Sequence, residues 1–362
     1  MTSQGRGGSA LVVGAGLIGC SIGLALREAG WQVRVEDSTE ELTYRAVRLT
    51  GLEAMESGFQ PEVVVVSVPP GVAAQVIIEA LRLYPDATVM DTASVKADIA
   101  HEVYTNSIQS DRYVPSHPMA GKESTGPADA AYDLFLDRLW VYAPRGEARP
   151  QSLAAVAEVI SACGAIAVGM GPEEHDATVA LTSHLPQVLA SALAGLLAQE
   201  EESHVAVSGQ GLRDMTRIAG SNPRLWSEIL LANREHVRER LGQVAEAVAG
   251  FDAALAAGDA AQLEERLRLG NEGKRRIPGK HGAAAQAWQS VAIMIEDSPG
   301  QLARIFACAG RLGVNIEDVR IDHALGRAAA VIELDVDPKA AAQLAAGLAS
   351  EGWTLRNVAD FD

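Results

Sequence analysis

The sequence predicts an α/β chain in three parts: a doubly wound parallel sheet, an all-helical middle, and a small C-terminal α+β unit. Three observations predict it. Short apolar strands alternate with helical stretches over roughly the first 145 residues, the pattern of a parallel sheet with crossover helices. Beyond Pro172 the strand signals vanish and long helical periodicities take over. After a glycine- and charge-rich stretch at 270–282, strands return in the order βαββαβ, which is ferredoxin-like.

The elements follow in order. Residues 10–13 form a short strand, and 17–29 have helical spacing that stops at Gly30. Residues 32–35 form a second strand. Val63-Val64-Val65-Val66 is an unbroken β-branched run, expected of a strand buried on both faces. Residues 88–90 and 139–142 continue the pattern, 151–163 is a helix, and 165–168 a last short strand. Helices are expected over 173–199, 203–219, 223–257 and 259–270, apolar enough to suggest burial against a second copy of the chain. The expected boundaries are therefore 1–170 for the parallel-sheet domain, 171–270 for a helical dimerisation and substrate domain, 271–289 for a linker, and 290–362 for the α+β domain.

Composition narrows the function. Of the 362 residues, 48% are hydrophobic and 21% charged, the balance of a soluble globular protein. Aromatics make up only 4%, so the core rests on small aliphatic side chains. The net charge of −17 disfavours nucleic acid and anionic membranes, and obliges any anion site to be built locally from Arg, Lys and amide groups. Cys20, Cys163 and Cys308 are far apart, which argues for a reducing compartment and against disulfides or metal ligation. With no apolar leader and no run of 18 apolar residues, a cytoplasmic location is expected.

Gly14-Ala15-Gly16-Leu17-Ile18-Gly19 follows the first strand and opens the first helix. Gly14 permits the tight turn, Gly16 lets a pyrophosphate approach the backbone, and Gly19 lets helix and strand pack. The N–H groups at the helix start, from Leu17 and Ile18 onward, face the phosphates. An acid about 20 residues on completes the dinucleotide (Rossmann) pattern. That acid is Asp37 or, less favoured, Glu36; a carboxylate there accepts from ribose hydroxyls and repels a 2′-phosphate, so NAD is expected over NADP. The loop Ser67-Val68-Pro69 after the valine strand either covers the cofactor or is a plain turn.

Three further segments hold unusual polar content. They are Asp91-Thr92-Ala93-Ser94-Val95-Lys96; Ser116-His117-Pro118-Met119-Ala120-Gly121-Lys122-Glu123; and, in the helical part, His175-Asp176, Ser183-His184-Leu185-Pro186-Gln187 and Arg213-Asp214-Met215-Thr216-Arg217-Ile218-Ala219-Gly220. In this combination and order they resemble the TyrA family of prephenate and arogenate dehydrogenases, over almost the whole chain. The resemblance implies NAD-dependent oxidative decarboxylation of a cyclohexadienol to a phenol. It makes His117 the group that takes the hydroxyl proton. It makes Ser94 a partner of His117 and the substrate hydroxyl; by sequence alone Ser94 also reads as a helix N-cap. It makes Arg217 the fork for a substrate carboxylate, with Glu123 and Asp214 as its acidic partners; locally, Arg217 also reads as an ion pair with Asp214. Lys96 is either a carboxylate donor or a solvated first-turn residue. His184 faces either the nicotinamide pocket or the helix core. His175-Asp176 opens a helix, and Asp176 there suits the helix dipole. No metal is implied.

The family often places His where this chain has Gln187, which leaves open a pyruvyl (prephenate) or an alanyl (arogenate) side chain. The C-terminal unit, with Asp297-Ser298-Pro299-Gly300 before its first helix and Asn315-Ile316 opening its next strand, looks like an ACT domain. That implies a feedback effector, tyrosine, at those positions; the plainer alternative is a dimerisation module. Two other classes remain. A β-hydroxyacid dehydrogenase requires a helical-domain Lys, and no Lys lies between Pro172 and Ala260. A non-catalytic NAD or amino-acid sensor is disfavoured by the intact Ser94, His117 and Arg217. Roles for Lys280 and His281 in the linker stay open.

Overall fold

The computed structural model describes residues 7–107, 109–121, 126–146, 148–277, 288–296, 298–323 and 329–356. It divides into two compact units, Met1–Ala249 and Gly250–Asp362.

The first unit begins with β1 (Ser9–Val13), α1 (Leu17–Glu28), β2 (Gln32–Glu36), α2 (Glu40–Thr50), β3 (Glu53–Ala54), β4 (Val63–Val66), α3 (Pro70–Leu83), β5 (Thr88–Asp91), α4 (Ala97–Asn106) and β6 (Tyr113–Val114). The strands form one parallel sheet in the order β3-β2-β1-β4-β5-β6. Alternation sends successive residues to opposite faces. Ala10, Val12, Val63, Val65 and Met90 pack with Ile22 and Leu26 of α1. Leu11, Val64, Val66 and Val89 pack with Ile77 and Leu81 of α3 and Ile99 of α4. All four valines of β4 are at most 1% exposed, which is why the run shows no polar alternation. The order in which strands are added reverses between β1 and β4, so the loops leaving their carboxyl ends border the crevice where such sheets bind ligands.

The chain continues with β7 (Ser116–Pro118), β8 (Leu139–Tyr142), α5 (Pro150–Ala162) and β9 (Ile166–Gly169). Residues 139–142 were expected to extend the main sheet. They form the centre of a separate sheet, β7-β8-β9. Pro115, between β6 and β7, has no N–H to continue the parallel ladder; its carbonyl accepts from Ala143 instead. α5 closes the α1 face of the large sheet through Val156, Val159 and Ile160.

The helical part holds α6 (Pro172–Val179), α7 (Leu185–Leu197), α8 (Glu202–Val205), α9 (Gln210–Thr216), α10 (Pro223–Ala232) and α11 (Arg234–Ala257). α6 packs on α4 and α10 on α3. Three expected helices are interrupted. A π-turn, Ala180–His184, joins α6 to α7; such bulges gather at functional sites. Gly209 starts α9 anew. Asn233, 3% exposed, separates α10 from α11. The run Pro172–Leu197 has mean hydropathy 1.3, long and apolar enough by those measures to cross a membrane, a feature the sequence reading did not anticipate. His175, Asp176 and His184 within it are buried against the unit's own residues.

In the second unit, α12 (Ala260–Arg275) runs into the stretch expected to be linker from 271. Arg268 pairs with Glu265 and Glu272 one turn either side, and Lys274 and Arg275 suit the dipole of the last turn. Lys280 and His281 lie outside the described residues. There follow β10 (Gln289–Glu296), α13 (Gln301–Arg311), β11 (Ile316–His323), β12 (Ala329–Val336), α14 (Pro338–Ser350) and β13 (Thr354–Arg356). The antiparallel order β11-β12-β10-β13 is the ferredoxin-like arrangement. Val291, Ile293 and Ile295 of β10 meet Ile305 of α13 and Leu344 and Leu348 of α14.

Candidate active site

The glycine turn is built as its spacing requires. Gly14 has φ +105°, and a Cβ there would lie 2.2 Å from the Ser67 carbonyl oxygen. A Cβ on Gly19 would lie 2.0 Å from the Gly14 carbonyl oxygen. Gly16 differs: a Cβ on it meets nothing within 4 Å. Protein packing therefore demands glycine at 14 and 19, while the space over Gly16 is left for something other than protein. Gly16 caps α1 without a side-chain bond, leaving the helix's first N–H groups toward that space. These residues fit a dinucleotide pyrophosphate.

Asp37 sits where the ribose acid was expected. Its Oδ2 accepts from Ala15 N at 2.7 Å, and its Oδ1 from Ser38 N at 2.7 Å. Oδ1 also accepts from the Ser38 hydroxyl at 3.0 Å, so Oδ2 is the oxygen that keeps a further lone pair. With Glu36, Tyr44 and Met55 it lines a cavity of about 430 Å³. Ser67 accepts from the Thr92 hydroxyl at 3.0 Å, and Pro69 starts α3. The loop Ser67-Val68-Pro69 thus leans over the glycine turn.

At the end of β5 a buried charge network fixes the next loop. Lys96, expected to be solvated or a carboxylate donor, is 0% exposed. Its ammonium pairs with Asp91 and donates to the Ser116 carbonyl at 2.8 Å. Burial drives the Lys96 pKa down, against the pull of Asp91 and Asp176. Asp91 also accepts from the Tyr113 hydroxyl at 2.7 Å and Ala93 N at 2.8 Å. The Ser116 hydroxyl donates to the Asp91 carbonyl at 2.6 Å and accepts from the Trp140 indole at 3.1 Å. Removing one partner of such an ion pair leaves a bare buried charge, a cost of about 3–5 kcal/mol. The network ties the Ser94 loop to β7, which presents His117.

Ser94 is not the cap of α4. The helix begins at Ala97, and its cap comes from across the fold. Asp176 Oδ1 accepts from Lys96 N and Oδ2 from Ala97 N, both at 2.8 Å. Asp176, expected only to suit its own helix dipole, thus serves the N-terminus of another helix. His175 lies beside it, fully buried, with Nδ1 2.7 Å from Asp176 Oδ1 and Nε2 2.9 Å from His117 Nδ1. Burial, then His175, Lys96 and His184, hold the half-buried His117 imidazole well below its usual pKa, so it is neutral.

His184, on the π-turn, is 1% exposed and edge-on to Trp226. Asn233 donates from Nδ2 to His184 Nδ1 at 3.1 Å and to the Asp176 carbonyl at 2.8 Å. Gln187 is buried, its Nε2 3.3 Å from Ser191 Oγ and its Oε1 accepting from Ser221 at 3.5 Å. Ser221 ends the one-turn helix Arg217–Gly220, which packs on α7, so Gln187 and the Arg217 turn lie together. Arg217 and Asp214 are exposed; Asp214 accepts from Gln210 at 2.8 Å. Glu123 and Asp297 lie outside the described residues. Asp91, Ser116, His175 and Asn233 had no assigned role in the sequence. The first three lie in or beside segments singled out there; Asn233 carried no signal.

In the second unit, Gly300 caps α13 at φ +90°. A cavity of about 450 Å³ is lined by Trp288, Val314, Asn315, Asp337 and Lys339. Of the expected effector positions, only Asn315 belongs to it; Pro299, Gly300 and Ile316 do not.

Two expectations follow from this geometry. Gly16→Ala should leave the melting temperature unchanged and weaken dinucleotide binding, read by calorimetry, whereas Gly14→Ala should lower the melting temperature because its φ and its neighbour both reject a side chain. Burial pushes the His184 pKa down to about 4, against the pull of Asp176. The unfolded chain therefore takes up a proton near pH 6.5 that the folded chain refuses until about pH 4. Stability from this group is full above pH 6.5 and falls by up to ~3 kcal/mol as pH drops to about 4. Urea unfolding across that range should show the decline, and His184→Asn should flatten it.

The comparisons agree with this architecture. Residues 22–168 match the prephenate dehydrogenase nucleotide-binding domain and residues 171–269 the prephenate dehydrogenase dimerization domain. The chain is 29% identical over 360 residues to the Streptomyces niveus protein named "Probable prephenate dehydrogenase NovF", covering 95% of this chain and 98% of that one. It is 34% identical over 236 residues to cyclohexadienyl dehydrogenase of Zymomonas mobilis, covering 61% and 80% respectively. The crystal structure of prephenate dehydrogenase from A. aeolicus with hydroxyphenyl propionate and NAD+ superposes with a TM-score of 0.68 at 27% identity, over 75% of this chain and 98% of that one. The two family models match the parallel-sheet and helical parts in turn: this chain is a member of the prephenate dehydrogenase family.

Proposed function

We propose that His117 is the general base in the reaction of this family, the NAD-dependent oxidative decarboxylation of prephenate to 4-hydroxyphenylpyruvate. The observation that carries the reading is a neutral imidazole, kept so by burial and by its cationic and imidazole neighbours, on a strand tied to the loop after β5. NAD, bound over Gly16 with its ribose at Asp37, supplies the hydride acceptor. His117 takes the carbinol hydroxyl proton as the hydride leaves that carbon. The ring carboxylate departs as CO2, the ring becomes aromatic, and the proton returns to the phenolic oxygen. Ser94 donates toward the same hydroxyl. Arg217 receives a substrate carboxylate, supported by Glu123 and Asp214. Lys96 acts from behind, as a positioning residue. The helical part forms a homodimer, and the buried free cysteines suit a reducing, cytoplasmic setting. The C-terminal unit binds an amino-acid effector, tyrosine, near Gly300 and Asn315.

Arogenate on the same scaffold is the second reading. Gln187 admits it, because its amide oxygen can accept from an ammonium just as its NH2 can donate to a keto oxygen.

NADH formation should be measured with prephenate and arogenate side by side, each with NAD and NADP. Turnover of prephenate with NAD is expected, and no turnover of either substrate would sink the reading. His117→Asn should cut kcat by about a hundredfold to ten-thousandfold while NAD binding is retained; full activity would remove His117 from its role.

A further inference from the structure

His117 and His184 each have one ring nitrogen engaged by a partner, and both lines of contact lead to Asp176. The carboxylate accepts backbone N–H bonds at both oxygens. An ionised carboxylate can only accept, so its contact with His175 Nδ1 places a proton on that nitrogen. In a neutral His175, Nε2 is then a lone pair. His117 Nδ1, 2.9 Å away, must carry the hydrogen between them. That leaves the His117 lone pair on Nε2. On the other side, the Asp176 backbone carbonyl can only accept, so the Asn233 atom 2.8 Å from it is the amide NH2, which settles the amide's orientation. The second hydrogen of that group points to His184 Nδ1, which therefore holds a lone pair, and the neutral His184 keeps its proton on Nε2.

We propose that Asp176 is a positioning residue that imposes opposite tautomers on the two imidazoles: through its carboxylate and His175 it makes His117 Nε2 a proton acceptor, and through its carbonyl and Asn233 it makes His184 Nε2 a proton donor. The kinetic consequence rests on His117 being the base. When His117 Nε2 takes a proton, the ring becomes cationic, and its Nδ1–H already donates to His175, which is backed by the Asp176 anion. A free imidazole populates both tautomers, and the one with Nε2–H offers no lone pair toward an incoming hydroxyl. His175 and Asp176 remove that unproductive form, as a buried carboxylate does for the histidine of hydrolytic triads.

The test is long-range proton–nitrogen correlation spectroscopy on the full chain labelled with 15N-histidine, with assignments from His117→Asn and His184→Asn. The wild type should show His117 protonated at Nδ1 and His184 protonated at Nε2; the reverse at either ring overturns the proposal without any further variant. His175→Leu should bring the Nε2–H form of His117 into view and lower kcat about tenfold to a hundredfold with KM little changed. His175→Gln, whose amide can accept from His117 and donate to Asp176, should restore most of that loss. An unchanged tautomer in His175→Leu, or loss of kcat not relieved in His175→Gln while NAD still binds, would contradict the relay. Full activity of His117→Asn would instead fail the base assignment and leave the tautomer result standing, so the two failures are distinguishable.

Discussion

Lys96 and Ala97 each give a backbone N–H to the carboxylate of Asp176, and those two bonds seat the helical part on the loop that leaves the parallel sheet. The rest of the site hangs from them. Once Asp176 holds the start of α4, Lys96 is turned inward, where it meets Asp91 and the carbonyl of Ser116. Ser116 immediately precedes His117, and His175 immediately precedes Asp176. The two chain segments that carry the facing imidazoles are thereby fixed by the same pair of carboxylates. The arrangement is buried, so each bond acts in a low-dielectric setting where an unmade partner is costly.

The site's electrostatics follow from that burial. Its one described ammonium, Lys96, is paired with Asp91, and the imidazoles of His117 and His184 are held neutral. Around them the chain is acidic overall. An anionic substrate therefore finds little long-range attraction and must be bound by a local group, which on the proposed reading is Arg217, as the open start of α1 is for the dinucleotide. Neutral imidazoles suit this setting: they can take or give a proton without an existing charge to expel.

Local chemistry was legible in the sequence, and tertiary chemistry was not. The glycine turn could be read because a positive φ at Gly14 and a close approach at Gly19 demand glycine whatever the rest of the chain does. The valine strand could be read because a strand covered on both faces needs no polar alternation. His117 stood out through its neighbours Pro118 and Met119. Lys96 was misread because its partners Asp91 and Ser116 meet it only after folding. Asp176 was read as serving its own helix, when the N–H groups it satisfies are 80 and 79 residues earlier. Helical periodicity ran straight through the π-turn and through Asn233, since neither break disturbs the apolar spacing. The helix end at Arg275 was missed because glycine content outweighed the charge pairs around Arg268.

The most direct test of the account is the pH dependence of kcat/KM for the wild-type chain, which reports the free enzyme's essential base. Burial above all, with Lys96 beside it, disfavours protonation of His117. With a base held so low, kcat/KM should stay level as pH falls through 6.5 and decline only well below it, with the acid limb absent from the residual activity of His117→Asn. An acid limb centred at 6.5 or higher would mean the base is not the buried imidazole described here.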